Sequence, residues 1–345
     1  MSRKRLGCRD LHETYLIDRF AGQGTYGAVH IGRDKETGAM VAIKHLKLAR
    51  DEIDCFPLTN LREIKALRSL GNFRHQNIVN FIEVVTTKPS DDNRQLGDVY
   101  MVFDAAEGDL EGLLDDWHEG IPAPGCETGG GGDGGGGTST RPSNAAPRRT
   151  PLPISLIRHL MHQLLSGLAF IHSHGYVHRD IKPANLLLNC DYSLRIADFG
   201  LVKKCTPGQK LTPGMCTPWW RAPEVLLSDS FTGPPMGPPM DVWSAGVVFT
   251  NMLFRSTRNS FHSHQQAIPA LHSIWRICGA PDEKSWPGIR KFGVFLTALP
   301  SGNPPRDIYR KYGRLLVLNM IIDECSIPGD VGIFLVWGVL FAPQK

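Results

Sequence analysis

The chain lacks several features that would place it among membrane, metal-binding or nucleic-acid-binding proteins. Its C-terminal apolar run, residues 332–342, has only eleven residues, whereas a helix that spans a bilayer needs ~20. The eight cysteines never stand at Cys-x-x-Cys spacing, which favours reduced thiols over a zinc or redox motif. The formal net charge of +4 is too small to indicate a nucleic-acid partner. We therefore expect no membrane and no direct nucleic-acid partner, and a location in the nucleus, the cytoplasm or both.

The composition is that of a folded chain with one unusual segment. With 345 residues, 41% of them hydrophobic and 21% charged, the chain can bury a substantial core, which we expect to divide into two lobes. Residues 118–153 are rich in glycine, proline, serine and threonine, and such a segment buries too little apolar surface to offset its ordering entropy. We expect a disordered insert there. A helix should follow, because apolar residues recur at helical spacing from Ile157 to Ile171 and Gly175 lies beyond its end.

Two polar motifs occur in the order that phosphoryl transfer from a nucleotide requires. They are His-Arg-Asp-Ile-Lys-Pro-Ala-Asn at residues 178–185 and Asp-Phe-Gly at residues 198–200. In this reaction the protein supplies a carboxylate beside the attacking hydroxyl, oxygen ligands for Mg²⁺ and cations beside the phosphates. We assign Asp180 as the base, Lys182 as a cation, and Asn185 and Asp198 as Mg²⁺ ligands. Taken alone, the first motif is equally compatible with a loop that solvates its own backbone.

A glycine-rich segment upstream fits the same reaction. Gly22, Gly24 and Gly27 match a phosphate-binding hairpin and, on glycines alone, a dinucleotide-binding turn. The dinucleotide alternative needs a helix after the third glycine, but Val29 and Ile31 alternate with polar residues, and a Glu-Thr-Gly turn leads into a second short strand. The pattern therefore predicts a hairpin over phosphates, in which glycines let backbone N–H groups approach anionic oxygens.

Lys44 and Glu63 complete the predicted catalytic set. Lys44 ends the second strand of the hairpin, from which it would reach the α- and β-phosphates. Glu63 lies on a predicted helix, residues 61–70, from which it would pair with Lys44. As an isolated pair they would more simply be solvated surface charges. We favour the catalytic interpretation because all the parts occur in the order typical of protein kinases.

From about Tyr15 to Pro287 the chain resembles the cyclin-dependent kinases, a group of proline-directed serine/threonine kinases. Residues 57–63, Pro-Leu-Thr-Asn-Leu-Arg-Glu, resemble the family's cyclin-docking helix, and residues 241–246 resemble its large-lobe core helix, whose Asp braces the catalytic loop. The resemblance implies an α+β, bilobal protein-kinase fold, with a small antiparallel β-sheet lobe plus one helix and a mainly α-helical large lobe. It also implies ATP and Mg²⁺ as cofactors. The implied partners are a cyclin, an activating kinase and protein substrates with Ser/Thr-Pro sites.

The resemblance also assigns the positions around the nucleotide. Phe103 would be the gatekeeper of the adenine pocket, the backbone of Asp104 and Ala106 would hydrogen-bond the base, and Asp109 would approach the ribose. From residue types alone these are core positions and a helix N-cap. The implied nucleotide-binding positions are Ala21, Gly22, Gly24, Gly27, Val29, Ala42, Lys44, Phe103, Asp104, Ala106, Asp109 and Leu187.

Regulation by phosphate is implied at three hydroxyl residues. Thr25 and Tyr26 stand where the family takes inhibitory phosphates, and Thr212 stands where a phosphate would activate the enzyme by adding nearly two negative charges. The residues implied to clamp that activating phosphate are Arg62, Arg179 and Lys203. The third residue is a lysine, which lacks the bidentate fork of arginine. We therefore expect a clamp that has the same positive charge but orients the phosphate less strictly.

The segment before Glu224 indicates the substrate. Residues 217–224 depart from the family's usual T-L-W-Y-R-A-P-E at Pro218 and Trp220, but keep Arg221. By resemblance, this arginine satisfies a strained carbonyl in the pocket for the residue after the phosphoacceptor, where proline brings no N–H to leave unpaired. We therefore expect Ser/Thr-Pro substrates.

The C-terminal part resembles the family least. The resemblance fades after roughly Arg290, and no arginine after Arg314 is present to pair with Glu224. We expect an N-terminal tail at residues 1–13, a kinase domain at 14–325 and an atypical apolar tail at 326–345. Within the domain we expect a small lobe at 14–103, a large lobe at 104–325 and the insert at about 118–153.

Two alternatives remain open. The divergent C-terminal end would be compatible with a cyclin-binding pseudokinase that lacks catalysis. A different proline-directed kinase, such as one of the mitogen-activated group, is the other alternative, although that group's Thr-x-Tyr pair is missing around Thr212. Within the cyclin-dependent kinases, residues 109–114 resemble the transcription-associated branch more than the cell-cycle branch. That branch would make Ser-Pro repeats of an RNA polymerase tail candidate substrates.

Overall fold

The computed structural model describes residues 8–24, 27–46, 57–88, 97–117, 152–205, 218–228, 236–254, 266–278, 280–284, 286–292 and 295. Within these ranges the expected α+β, bilobal organisation is confirmed, with a sheet and one long helix followed by a mainly helical part. Thr25, Tyr26, Thr212, residues 118–151 of the predicted insert and the predicted C-terminal tail lie outside the described residues.

The small lobe is a six-stranded sheet in the order β1-β5-β6-β4-β3-β2. Its strands are β1 (Arg9–Asp10), β2 (Tyr15–Gly24), β3 (Gly27–Asp34), β4 (Met40–Leu46), β5 (Phe81–Thr86) and β6 (Val99–Asp104). Neighbouring strands are antiparallel, except that β1 runs parallel to β5 at the edge. Helix α2 (Leu58–Gly71) contacts β5 and the 3₁₀ turn Phe199–Leu201.

The small lobe begins earlier than the predicted boundary between residues 13 and 14. Arg9 and Asp10 pair with β5, and a helical turn, α1 (Leu11–Thr14), follows, with Asp10 capping the N–H of Glu13. Leu11 is fully buried in a small core with Tyr15. One buried leucine in a short polar segment produces no periodic pattern, which is why the sequence did not indicate this anchor.

The predicted hairpin is confirmed. Between β3 and β4, Asp34 Oδ1 accepts hydrogen bonds from the N–H groups of Glu36 and Thr37 at 2.9 and 2.8 Å. Gly38 follows with φ of 71°, a left-handed conformation that glycine adopts without a Cβ clash. In β4, Val41 and Ile43 are buried, so strand alternation places Lys44 on the opposite face of the sheet.

The large lobe is mainly helical. Its helices are α3 (Leu110–Asp116), α4 (Ile154–Ser173), α5 (Pro223–Leu227), α6 (Pro239–Phe254) and α7 (Ala267–Cys278). Its short strands are β7 (Gly108–Asp109), β8 (Tyr176–Val177), β9 (Leu186–Leu188), β10 (Leu194–Ile196) and β11 (Lys203–Lys204). Strands β10, β9 and β7 form one sheet, and β11 pairs with β8.

Helix α4 is the helix that the sequence predicted, and it lies in the core. Leu160, Leu164 and Ile171 are buried and pack with α6 and β10. Among the described residues, α4 is also the helix whose length and apolar composition would permit a membrane span, a property that core helices share. Leu152 is buried in the same core, so the large lobe resumes at least one residue before the predicted end of the insert.

A buried amide network joins the loop after α2 to the large lobe. Asn77 Nδ2 donates to Gln163 Oε1 at 3.1 Å and to the Leu194 carbonyl at 3.0 Å. Gln163 Oε1 also accepts the N–H of Leu194 at 2.8 Å. Gly167 on α4 permits this close approach, because a Cβ there would lie 3.0 Å from the Asn77 carbonyl oxygen and 2.8 Å from Ile196 Cδ1. The two lobes are therefore connected by hydrogen bonds as well as by the chain.

One cysteine departs from the expected reduced state. Cys190 is disulfide-bonded, whereas Cys8 and Cys205 are free thiols. Spacing along the chain tests for metal and redox motifs, but it does not show the oxidation state of each thiol in the fold.

Candidate active site

Lys44 connects the two lobes at the predicted site through two ion pairs. Its Nζ lies 2.7 Å from Glu63 Oε1 and 3.0 Å from Asp198 Oδ1. Burial alone would lower the pKa of Lys44, but the two carboxylates outweigh burial and the net shift of its pKa is upward. Burial raises the pKa of Glu63, and Lys44 opposes that rise. Lys44 is therefore held as a cation, and its pair with Glu63 fixes α2 against the sheet.

The catalytic-loop residues meet around one carboxylate. Lys182 Nζ lies 2.9 Å from Asp180 Oδ2. Asn185 Nδ2 donates to the same oxygen at 3.0 Å and to the Asp180 carbonyl at 2.7 Å. Pro183 begins the 3₁₀ turn Pro183–Asn185, where its fixed φ suits the first helical position. Because Asp180 is also buried, these contacts hold its carboxylate in one orientation.

Asp241, in the first turn of α6, holds the catalytic loop through its backbone. Its two carboxylate oxygens accept the N–H groups of His178 and Arg179, both at 2.8 Å. Arg179 has φ of 74°, a conformation costly for a residue with a Cβ, and these hydrogen bonds help to maintain it. His172 Nε2 lies 2.8 Å from the same carboxylate. The sequence did not single out His172, because only the fold brings it to Asp241.

The residues present fit Mg²⁺. Asn185 uses both amide hydrogens on Asp180, so its Oδ1 remains as an acceptor. Lys44 donates to Oδ1 of Asp198, so this carboxylate can offer its second oxygen to a metal ion. Two hard oxygen donors suit an ion that completes its shell with waters and phosphate oxygens. In the described part of the chain, no group of three or more His, Cys, Asp or Glu residues forms a rival metal site.

The residues predicted to line the adenine pocket lie on β4, β6, β7 and β9. The β4–β6 register places Ala42 opposite Phe103, which is buried, and the β7–β9 register places Asp109 opposite Leu187. These residues come from separate strands and therefore meet only in the fold. The Asp109 carboxylate accepts the N–H of Gly112 at 2.9 Å as the N-cap of α3. Burial raises the pKa of Asp109, although this hydrogen bond opposes the rise.

The hinge between the lobes offers one backbone donor. The N–H of Asp104 donates to the Asn80 carbonyl at 3.1 Å, and that of Ala105 donates to the Met40 carbonyl at 3.4 Å. The N–H of Ala106 donates to no acceptor within the described residues, so it remains available for the predicted contact with the base. The Asp104 carboxylate is also held, by Asn80 Nδ2 at 3.2 Å and Arg195 Nη1 at 3.4 Å. Sequence reasoning missed Asn80 and Arg195.

The glycine-rich segment forms the end of the β2–β3 pairing. Gly22 pairs with Val29, and Gly24 pairs with Gly27, between β2 and β3. A Cβ on Gly27 would lie 1.8 Å from the His45 carbonyl oxygen, so glycine is needed for the approach of β3 to β4. Ala21 lies in β2 next to this pairing.

Comparison with known proteins agrees with this geometry. The protein kinase domain family matches residues 15–301. The chain belongs to the protein kinase family. It is similar to cyclin-dependent kinase 9 of Rattus norvegicus (36% identity over 281 residues), cyclin-dependent kinase C-1 of Arabidopsis thaliana (33% over 323) and serine/threonine-protein kinase ppk23 of Schizosaccharomyces pombe (34% over 281). These alignments cover 79%, 88% and 81% of this kinase but only 64%, 55% and 58% of the respective relatives.

The three predicted phosphate-clamp cations of this kinase lie near one another. Arg62 is on α2, Arg179 is in the catalytic loop and Lys203 is in β11. Burial lowers the pKa of Lys203, and the positive charges of Arg179 and Arg62 lower it further. Mutual repulsion among cations from three elements is typical of a site that accepts an anion.

The segment predicted to contact the substrate is anchored on α6. It forms a 3₁₀ turn, Pro218–Trp220, after which Arg221 is half-buried. Trp219 is exposed, whereas Trp220 is buried and its indole Nε1 donates to Asn251 Oδ1 at 3.1 Å. The sequence marked Trp220 as a departure from the family but gave no signal for its partner Asn251.

Glu224, in the first turn of α5, has no cation partner among the described residues. Because the carboxyl group of Glu224 is buried, its pKa is raised to about 7. The sequence predicted an unpaired Glu224 because the C-terminal part lacks a matching arginine. The carboxyl group is therefore close to half-protonated at neutral pH.

Proposed function

We propose that this chain is a cyclin-dependent type of serine/threonine kinase, which uses ATP and Mg²⁺. The observation that supports this most is the meeting of Lys44, Glu63 and Asp198 within 3.0 Å contacts, beside the Asp180 group. Surface ion pairs do not produce this arrangement of a buried lysine between two carboxylates on different lobes. The matches to cyclin-dependent kinases at 33–36% identity add support.

Each site residue has a defined role in this proposal. Lys44 binds the α- and β-phosphates, and Glu63 holds its angle. Asp180 accepts the proton of the substrate hydroxyl, while Lys182 stabilises negative charge on the group in transfer. Asn185 and Asp198 hold Mg²⁺, which neutralises phosphate charge when bound.

A cyclin is the proposed activator. Helix α2 exposes 66% of Leu58 and 37% of Leu61 while burying Glu63, and adjacent exposed leucines suit a protein partner. A partner that covers them would also fix the helix that positions Glu63. Binding and catalysis would thus be coupled through α2.

The proposal also includes regulation by phosphorylation and the choice of substrate. An activating kinase would phosphorylate Thr212, and Arg62, Arg179 and Lys203 would hold the phosphate, while phosphates on Thr25 and Tyr26 would inhibit. Arg221 supports substrates of the Ser/Thr-Pro form. The nucleus, the cytoplasm or both are the proposed locations.

The decisive experiment measures phosphate transfer to a Ser-Pro peptide with and without a cyclin. Asp198→Ala serves as the inactive control, and a Ser-Ala peptide tests the requirement for proline. We expect cyclin-stimulated turnover on the Ser-Pro peptide, and Leu58→Glu should abolish the stimulation but keep nucleotide binding. Turnover no higher than that of the Asp198→Ala control would defeat the enzyme claim.

A cyclin-sequestering pseudokinase is the second candidate, and the desolvated Glu224 favours it. A buried carboxylate with no cation partner in the described part of the chain would weaken the large lobe by about a few kcal/mol, on the order of the cost of a broken buried pair. Capture of a cyclin without nucleotide-dependent turnover would support this candidate over the first.

A further inference from the structure

Four aromatic rings form a cluster beside the Asn77 network at the junction of the lobes. The ring of His75 stacks on Phe170 at 4.6 Å between centroids, Phe170 lies 4.3 Å from His174, and His174 lies 4.5 Å from Phe73. Phe73 and His75 come from the loop after α2, whereas Phe170 is on α4 and His174 is its C-cap. Phe73 is exposed, and the other three residues are half-buried. The cluster therefore joins two elements and remains accessible to protons from solvent.

The hydrogen bonds of His75 fix its protonation state. The backbone N–H of Asn77 donates to His75 Nδ1 at 3.2 Å. Because a backbone N–H only donates, Nδ1 carries no proton, and the neutral ring has its proton on Nε2. That nitrogen lies 3.4 Å from Ser166 Oγ on α4. A proton added at Nδ1 would remove the acceptor and set two N–H groups against each other.

His174 responds to acid in a different way. Its Nδ1 lies 2.8 Å from the carbonyl oxygen of Phe170. A carbonyl oxygen only accepts, so this nitrogen carries a proton even when the ring is neutral. A second proton on Nε2 leaves that hydrogen bond intact. His174 can therefore become charged without losing this contact, whereas His75 cannot.

The charges around His75 oppose its protonation. Burial lowers the pKa of His75, and the charge of His174 on α4 lowers it further. Ser166 and Phe170, which also face the ring from α4, carry no charge, and the neighbouring cation in the loop, Arg74, is exposed. A base whose pKa is lowered by folding stabilises the protein above its ordinary pKa of 6.5, and this contribution is lost as pH falls below that value. Acid therefore acts against the His75–Asn77 contact.

The residue that would lose its acceptor is the one that joins the lobes. The side chain of Asn77 is buried, and its Nδ2 donates to Gln163 Oε1 and to the Leu194 carbonyl. Gln163 Oε1 in turn accepts the N–H of Leu194 at 2.8 Å. A displacement of the Asn77 backbone would carry this side chain with it. The protonation state of His75 is thus connected to the buried network by one residue.

We propose that His75 is a pH-sensitive switch at the junction of the lobes. The neutral imidazole holds the backbone of Asn77, and protonation of the imidazole releases Asn77 and loosens its contacts with Gln163 and Leu194. His174 sets the pH at which the switch operates, because its charge on the far side of Phe170 opposes a charge on His75. This regulation goes beyond the proposed phosphate transfer and does not depend on it.

The test measures hydrogen exchange of the Asn77 and Leu194 amides from about pH 7.5 to about pH 5, the range in which histidine titrates. Each rate is divided by the intrinsic rate at the same pH. In the wild type we expect protection to fall about tenfold in acid, the effect of one lost hydrogen bond. His75→Asn should keep protection constant, because an asparagine oxygen accepts the N–H two residues on and does not titrate. His174→Gln should move the fall to higher pH.

His12→Asn is the matched control. It removes an exposed histidine on α1 and should reproduce the wild-type profile. Wild-type protection at about pH 7.5 in each variant shows that the variant folds. Constant protection in the wild type, a full fall in His75→Asn, or a fall at lower pH in His174→Gln would each overturn the inference. The measurement needs no substrate, so a lack of phosphate transfer would refute the proposed function and leave this result unaffected.

Discussion

Glu224 changes its charge within the pH range in which proteins are handled. Burial raises its pKa from an ordinary value of 4.5 to about 7, so the folded state binds this proton more tightly than the unfolded state does. Below pH 4.5 the carboxyl group is protonated in both states and burial carries no penalty. As pH rises from 4.5 to about 7, the unfolded state ionises before the folded state does, so the folded state loses relative stability. Above the folded-state pKa both states are ionised and the loss stays constant.

Glu224→Gln should therefore stabilise the kinase at alkaline but not at acid pH. A tenfold difference in proton affinity between two states corresponds to about 1.4 kcal/mol, so the raised pKa predicts a gain of about 3 kcal/mol at pH 8. At pH 4.5 the variant and the wild type should differ little, because the amide and the protonated acid are both neutral. Urea denaturation of both proteins at the two pH values measures the effect. Destabilisation at pH 8 would contradict it and would reveal an ion-pair partner.

Individual residues differ in how far the sequence could predict them. Lys44 and Glu63 were predictable because their motifs occur in a fixed order along the chain. His172 and Asn251 were not, because a single hydrogen-bond partner has no periodic or compositional signal and is recognised only when the fold brings it close. Their roles depend on contacts with Asp241 and Trp220 that span many residues of sequence.

At the scale of elements, the packing of helix α4 against the loop after α2 depends on a close approach at Gly167. Gly167→Ala should disturb it, since the new Cβ would lie 2.8 Å from Ile196 Cδ1 and 3.0 Å from the Asn77 carbonyl oxygen. We expect a loss of about 1–3 kcal/mol of unfolding free energy, as for an overpacked core. Chemical denaturation provides the measurement.

Gly71→Ala is the control, because no heavy atom lies within 4 Å of a Cβ at that position near the end of α2. Alanine there should be neutral or slightly stabilising, since it restricts the unfolded chain. Equal losses from the two substitutions would mean that the close approach at Gly167 does not limit the packing.

The strength of the sequence pattern in each element explains which elements the sequence predicted. Helix α4 and the β3–β4 hairpin have clear periodicity and turn residues, so both were predicted. Strand β1 has two residues and so do β7, β8 and β11. Pairings this short depend on the strands beside them and leave no pattern of their own.

At the scale of the whole molecule, the Asn77 network determines how firmly the lobes are joined. Asn77→Ala would remove both hydrogen bonds of a side chain that is 2% exposed. It would also leave the buried Leu194 carbonyl without this donor. We expect a loss of about 2–3 kcal/mol of unfolding free energy. We also expect a lower kcat, because Lys44 and Asp180 lie on opposite sides of the junction between the lobes. Denaturation and peptide kinetics measure the two effects.

Asn80→Ala is the comparison for this prediction. Asn80 is exposed, and its amide makes one hydrogen bond of 3.2 Å to Asp104. Its removal should cost less than about 0.5 kcal/mol, as at most surface positions. A cost as large as that of Asn77→Ala would show that burial does not distinguish the two amides.

The short parallel strand β1 affects how this kinase can be produced. It covers the outer edge of β5, whose backbone groups would otherwise be open to another polypeptide. A recombinant version that starts at Tyr15, where the family match begins, would lose this cover and the buried Leu11. Such a shortened protein would aggregate during purification, so expression should retain the residues from Cys8 onward.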